Sequence, residues 1–513
     1  MPETHPDRGP AASPDTPAPS GPSSGAPASD RGVFLRMFPS IVLPMFIAVM
    51  DQTIVATALP SIAVALDDVE RIAWVVVAYL VATTIAAPVY GRLGDVYGRR
   101  RMMFVALGVM LAGSMACALA PSLPALIFAR VLQGLGGGGL MTLSQALISE
   151  SVPPRDRARY QGYLATVVVF SNAFGPVAGG WLTSGVGWRS IFWINLPLGL
   201  LAAALTFRLP ARAPKPDSDW RFDTPGLIWF VLFVAPSLIA MEQIRRLRLA
   251  EAPLIAALVG VAVVAMFFLT RRELRTPQPL FPFALLREKT IWRSNAMAAC
   301  HGAALVSLIA YLPIYLRTER GLTPAETGYL LLPIAFGIGV GSLVTGRLVA
   351  KTGRTAIFPS LALIPVVMIL VYVAFNHQSL DVVRFGMVIG ALTFFMGSVM
   401  GVVQVIVQNA AGVGMLGAAA GSVQFSRAIG ASFGTALVGA ALFAVFNAQA
   451  GEATDIFADL VERGPEALTR LTPALRAVAE NALAAGFRAI FLVIASFTAL
   501  ALVFAWSIPA RKL

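Results

Sequence analysis

Three ionisable side chains stand deep in otherwise apolar stretches: Asp51 in IAVMDQTIVATALP, Arg130 in IFARVLQGLGGGG and His301 in AMAACHGAALV. An acid in such surroundings is costly and normally faces a polar cavity. It can take and release a proton as that cavity opens to one side and then the other. Asp51 lies nine residues before Pro60, and Arg130 six residues after Pro124. At 1.5 Å per residue those are depths of about 13 and 9 Å from one boundary, so the two share a level to within a helical turn. Two plainer readings stay open: an Asp51 bonded to Gln52 or Thr53, and an Arg130 that braces helices through backbone carbonyls. His301, about seven residues into its own stretch, could titrate near neutral pH or be a hydrogen-bonded structural histidine.

A fourth constellation is GRLGDVYGRRR at 91–101, where Asp95 sits among Arg92, Arg99, Arg100 and Arg101 and three glycines, Gly91, Gly94 and Gly98. The arginines cannot enter lipid and so mark a cytoplasmic turn, which the glycines allow to be compact. Asp95 can accept hydrogen bonds from a neighbouring helix N-terminus while Arg99 pairs with it.

The elements that must position these residues are membrane helices. The 513 residues are 57% hydrophobic and 13% charged, with a mean hydropathy of +0.74. A soluble domain has no way to cover that much apolar surface. Apolar blocks fall near 37–59, 72–91, 102–120, 124–149, 160–182, 190–208, 225–241, 253–270, 294–316, 325–346, 356–375, 381–408, 418–446 and 486–508. Fourteen crossings put both termini on one side. Arginine and lysine concentrate in the segments this topology places inside, which orients the termini to the cytoplasm. RRLR at 245–248 is the exception, falling outside.

The net charge of +12 is scattered between apolar blocks, so it reads as topology rather than a nucleic-acid surface. Two cysteines and three histidines offer neither a disulfide framework nor a metal cage. No G-x-x-x-x-G-K-(S/T) loop occurs, so ATP is not the direct energy source and no cofactor is expected. No nucleophile–base or metal constellation suggests an enzyme. Residues 1–36 read as a disordered cytoplasmic tail, being rich in Pro, Ser, Ala and Gly up to residue 31.

Several runs together carry a family resemblance. These are GRLGDVYGRRR, MDQTIVATALPSIA (50–63), RVLQGLGGGG (130–139), FGPVAGGWL (174–182), WRSIFWINLPLG (188–199), and QNA (408–410) followed by GSVQFSRAIGASFG (421–434). In this order they resemble the fourteen-span drug:proton antiporters of the major facilitator superfamily. The charged residues usual between the last two runs are absent here, where AGVGMLG stands.

The resemblance implies an all-α integral membrane protein with the major facilitator fold. A six-helix bundle (37–208) and a second (294–513, with an external loop at 447–485) would flank linkers and two extra helices at 209–293. GRLVAKTGR at 346–354 echoes GRLGDVYGR at 91–99, as two halves of common origin would. Residue 350 is alanine where the first copy has Asp95, so the charge interaction should be asymmetric. The acids of the external loop and its Thr472-Pro473 helix start point to short surface helices there.

By the same resemblance, Arg130 is associated with proton transfer. Gly91, Asp95, Gly98, Arg99 and Arg100 form a latch whose partner is the start of span 11, here Gly417–Gly421, and which holds the outward-facing state. Gly175, Pro176, Gly179 and Gly180 form the packing motif typical of antiporters. Trp193, Asn195, Gln404, Gln408 and Arg427 are candidates for a cavity for amphipathic molecules, aromatic faces and amides suiting lipophilic cations and neutral compounds alike. Arg427 could instead snorkel to the surface or counter Asp51.

The expected function is export of lipophilic small molecules in exchange for protons, from the cell inner membrane. An endogenous metabolite or lipid is the alternative cargo, and a non-transporting receptor or assembly partner the alternative class. Cargo, protons and the bilayer are the expected partners, with no nucleic acid, a monomer by default, and a periplasmic adaptor left open.

Overall fold

The computed structural model describes residues 30–68, 71–210, 222–246, 252–276, 279–281, 283–450 and 472–509. They form fourteen helices, with no strand among the described residues. In order these are α1 Asp30–Ala65, α2 Trp74–Tyr97, α3 Arg99–Ala118, α4 Leu123–Ser151, α5 Pro154–Gly185, α6 Ser190–Thr206, α7 Thr224–Arg246, α8 Ala252–Glu273, α9 Lys289–Thr318, α10 Pro324–Thr352, α11 Ile357–Asn376, α12 Val382–Ala411, α13 Leu416–Ala450 and α14 Pro473–Ser507. Thirteen are long and apolar enough to cross a bilayer. The shorter α6 pauses for one residue at Ile194.

Several boundaries differ from the sequence expectation, each for a local reason. Residues 1–29 of the expected tail lie outside the described residues, and 30–36 are already the first turns of α1. Pro60 does not end α1, which runs on to Ala65, so Asp51 lies about 21 Å from that end rather than 13. The 91–101 turn is almost all helix. Residues 91–97 belong to α2, α3 starts at Arg99, and the direction changes at Gly98 alone, whose φ of 89° suits glycine.

The external loop shrinks too, because α13 runs to Ala450 and Thr472-Pro473 opens α14 rather than a short surface helix. Residues 451–471 lie outside the described residues. So do residues 247 and 248 of RRLR and most of the 209–224 linker, while Arg245 and Arg246 close α7. Glu326 is a helix cap: its carboxylate accepts from the Thr323 amide at 2.9 Å while its own amide donates to Thr323 Oγ1.

The helices pack as two bundles with one plan. In the first, α1 lies on α5 and α2 on α4. In the second, α9 lies on α13 and α10 on α12. The bundles meet along two seams, α5 with α10 and α2 with α13. Small residues bring the backbones together there. A Cβ at Gly162 would come within 2.9 Å of Ser342 O, one at Gly421 within 2.6 Å of Pro88 Cα, and one at Gly91 would overlap Gly417 O. All these approaches lie in the half of each helix nearer Gly98.

The α7–α8 hairpin sits on the flank of the second seam. Phe230 stacks on Phe281 at 3.9 Å and reaches Phe425 of α13 at 5.3 Å, with Ile85 of α2 in the same cluster. The outer face of α8, including Val263 and Phe267, is exposed as a lipid-facing helix would be.

Candidate functional site

Asp51 and Arg130 form a fully buried ion pair, both side chains 0% exposed, with Arg130 Nη1 donating to Asp51 Oδ2 at 2.7 Å. The other carboxylate oxygen accepts from Gln133 Nε2 at 2.8 Å and from Asn195 Nδ2 at 2.6 Å. Gln133 lies one turn after Arg130 on α4. It accepts from Arg130 Nη1 at 2.6 Å and donates to Ser114 Oγ at 2.7 Å. Arg130 Nε donates to Val75 O at 3.2 Å, and the guanidinium lies 4.1 Å over the Tyr79 ring. Five helices therefore share one network around this carboxylate: α4 and α6 donate to Asp51 of α1 directly, and α2 and α3 join through Arg130, Gln133 and Asn195. Charge-assisted hydrogen bonds in so dry a site are strong and mutually dependent.

This geometry replaces the plainer reading of Asp51, since Thr53 bonds instead to the carbonyls of Val49 and Met50. It also moves Asn195 from the expected cavity into the carboxylate's own shell. Gln133, Ser114 and Tyr79 were not singled out from the sequence. Gln133 was the findable one, because three residues after Arg130 on a helix places it on the same face.

Asp95 sits at the start of α13. Its oxygens accept from Gly417 N at 2.9 Å and Ala418 N at 2.8 Å, two of the amides a helix N-terminus leaves free. Arg99 Nη2 donates to it at 2.6 Å and Nη1 to Glu150 at the end of α4. Glu150 is a member the sequence reading missed. Arg100 is not part of this contact, since its guanidinium lies 5.7 Å over the Phe207 ring.

Of the small-residue motif, Gly175 and Gly179 press against Thr53, Ile54 and Thr57 of α1, leaving no room for a Cβ. Gly180 faces open space and takes no part in this packing.

The expected cavity residues are not gathered in one place. Trp193 is 43% exposed on α6. Gln408 lies in the seal between bundles, accepting from Ser149 Oγ and donating to the carbonyls of Gln145 and Leu416 at 3.4 Å. Beside it Arg157 donates to Asn409 at 2.5 Å. Arg427 neither snorkels nor meets Asp51. Its Nη1 donates to Gln424 Oε1 at 3.0 Å and its Nη2 to Met400 O at 3.4 Å. A groove of about 550 Å³ between α10 and α12, lined by Leu330, Phe336, Met387 and Phe394, is almost wholly apolar and holds none of these residues. Among the described residues, no group of three or more His, Cys, Asp or Glu could hold a metal ion.

Two pseudo-repeated helical bundles joined along small-residue seams, with ionisable groups buried at mid-span, define a multi-pass membrane carrier. The chain belongs to the Major Facilitator Superfamily, whose model matches residues 41–435. It is 33% identical over 484 residues to an MFS-type transporter of Mycobacterium tuberculosis (strain ATCC 25618 / H37Rv), covering 91% of this chain and 68% of that one. It is 27% identical over 413 residues to the multidrug transporter protein MdtP of Bacillus subtilis (strain 168), covering 80% and 75%. The fold is similar to that of the human organic anion transporter MFSD10 (TM-score 0.62, 15% identity, 93% of this chain and 99% of that one). It is also similar to the proton:xylose symporter XylE (TM-score 0.61, 14% identity, 94% and 98%). At such identities these two speak for the fold alone.

Proposed function

We propose that the protein is a proton-coupled antiporter that exports lipophilic small molecules by alternating access. In this reading it lies in the cell inner membrane with the Gly98 end and both termini in the cytoplasm. The buried Asp51–Arg130 pair carries the proposal. Protonation of Asp51 removes the charge that holds Arg130, Gln133 and Asn195 in place, so binding a proton loosens five helices at once. Loss of that proton draws them together again, which couples protonation to the arrangement of the whole bundle.

The Asp95 contact with α13 and the seams near Gly98 suit an outward-facing state closed on the cytoplasmic side. In the inward-facing state that contact must break, and Asp95 loses two helix N-terminal amides. Efflux-named relatives support the cargo class. MdtP is named a multidrug transporter, and another relative is the Acurin A biosynthesis cluster transporter of Aspergillus aculeatus, which keeps a biosynthetic product in view as the alternative cargo.

The test is dye uptake into inverted vesicles under an imposed pH gradient, acidic inside. Gradient-dependent accumulation, abolished when the gradient is collapsed, is the expected result. Accumulation indifferent to the gradient would overturn proton coupling.

A further inference from the structure

The second bundle holds a polar cluster, His301 and Gln404 buried and Arg427 half-buried, that the proposed proton step does not use. Arg427 lies eleven residues into α13, about 17 Å along the helix and near the middle of a bilayer core of about 30 Å. Among the described residues it pairs with no carboxylate. Its hydrogen-bond partners are one amide oxygen and one backbone carbonyl, and its Nε has none.

Arg427 packs over Gly302, where a Cβ would come within 3.0 Å of its Cγ, beside His301 of α9. Its carbonyl contact, Met400, is one turn from Gln404 on α12. His301 is 1% exposed and Gln404 2%. Both ring nitrogens of the histidine and both amide atoms of the glutamine lack partners. Three helices thus place a guanidinium, an imidazole and a carboxamide with five unpartnered polar atoms in one region of the bundle, on the same helices as buried core residues such as Met297 and Val403.

An uncompensated cation and unmet donors at this depth are destabilising, and such groups mark a ligand path. We propose that Arg427, His301 and Gln404 receive the acidic head group of an amphipathic anion, with the apolar walls taking its tail. The inference rests on the reading of the chain as a small-molecule carrier, though not on proton coupling. A planar guanidinium matches a carboxylate with paired hydrogen bonds, and imidazole and amide N–H groups complete an anion's shell. A cationic cargo would meet like charge here. The mid-span acid that could have served it, Asp51, is fully engaged in the other bundle.

The full-length protein in neutral maltoside detergent would be titrated with 11-(dansylamino)undecanoic acid, its methyl ester and a trimethylammonium analogue of the same chain. Dansyl fluorescence reads binding without any gradient, so failure here and failure of proton coupling are separate results. The wild type should bind the acid at least about tenfold tighter than the ester. Arg427→Gln should bring that ratio to about one, Arg427→Lys should keep part of it, and Gln404→Leu and His301→Leu should each reduce it. If Arg427→Gln does not purify as a folded protein, the other three variants decide the matter by the same ratio. Equal binding of acid and ester, tighter binding of the ammonium, or a ratio untouched by these substitutions would overturn the proposal.

Discussion

The two bundles treat a mid-span arginine in opposite ways, Arg130 fully buried and Arg427 half-buried. In the first, Arg130 meets a carboxylate, a glutamine, a backbone carbonyl and a tyrosine face, and the carboxylate is itself saturated. In the second, Arg427 has neutral partners only, and the polar groups around it are open. The knot ties helices to one another, its carboxylate fully engaged, and leaves only Arg130 Nη2 and Asn195 Oδ1 without partners. The open cluster is poorly suited to tie helices and has the valences a ligand needs. Repeated architecture has left one half with a paired arginine and the other with an arginine that has neutral partners only.

Stability separates the two most sharply. Arg130→Leu leaves Asp51 buried and unpaired, and should destabilise the protein by about 3–5 kcal/mol, the usual consequence of removing one partner of a buried pair. Arg427→Leu removes an uncompensated charge and should leave the thermal midpoint in detergent unchanged or raised. Similar losses in both variants would erase the distinction.

Coupling comes next. Asp51→Asn keeps the shape of the knot and removes its charge. Gradient-driven dye uptake should fall by about a hundredfold or more, the scale of one essential proton-transfer group. Binding of the dansyl acid at the other bundle should be retained. Wild-type uptake by Asp51→Asn would show that the proton enters elsewhere.

A smaller effect is expected from Gly175→Ala, which forces a methyl group against Thr53 of the helix that carries Asp51. It should cost about 1–3 kcal/mol by overpacking. Gly180→Ala, facing open space, should be silent. Thermal unfolding of the two variants side by side checks this, and a loss at Gly180 equal to that at Gly175 would count against the packing described.

The smallest effect is at the Gly98 end. Asp95→Asn weakens a contact with a helix N-terminus worth about 0.3–2 kcal/mol. Spin-label distances across that end should lengthen while the dansyl acid still binds. Unchanged distances would mean that the Asp95 contact does not hold this end closed.

Much of this protein was legible in one dimension because lipid imposes a strong rule. A span must be long, apolar and internally hydrogen-bonded, so the helix count and the existence of two halves could be read from composition. The same rule made Asp51 and Arg130 conspicuous, since charge is rare where lipid surrounds it, while Asp95 stood out by its place among glycines and arginines at 91–101. What one dimension left undecided was where each helix stops and what each polar group meets. Proline at 60 and the glycines at 91 and 94 looked like ends and turns, but each lies within a helix whose backbone bonds carry it through.

Tertiary structure alone distinguished Asn195, drawn onto Asp51 by α6, from Trp193 two residues earlier, which stays exposed. It alone distinguished Arg99, held by Asp95 and Glu150, from Arg100, stacked on Phe207. Adjacent helical residues project about 100° apart, so they meet different neighbours, and those neighbours come from helices distant in sequence. Residue type and hydropathy determined that charges would be buried in this chain. Which arginine found a carboxylate and which was left open was decided by helix packing, because a hydrogen bond depends on distances of a few tenths of an ångström that no spacing along one chain can set.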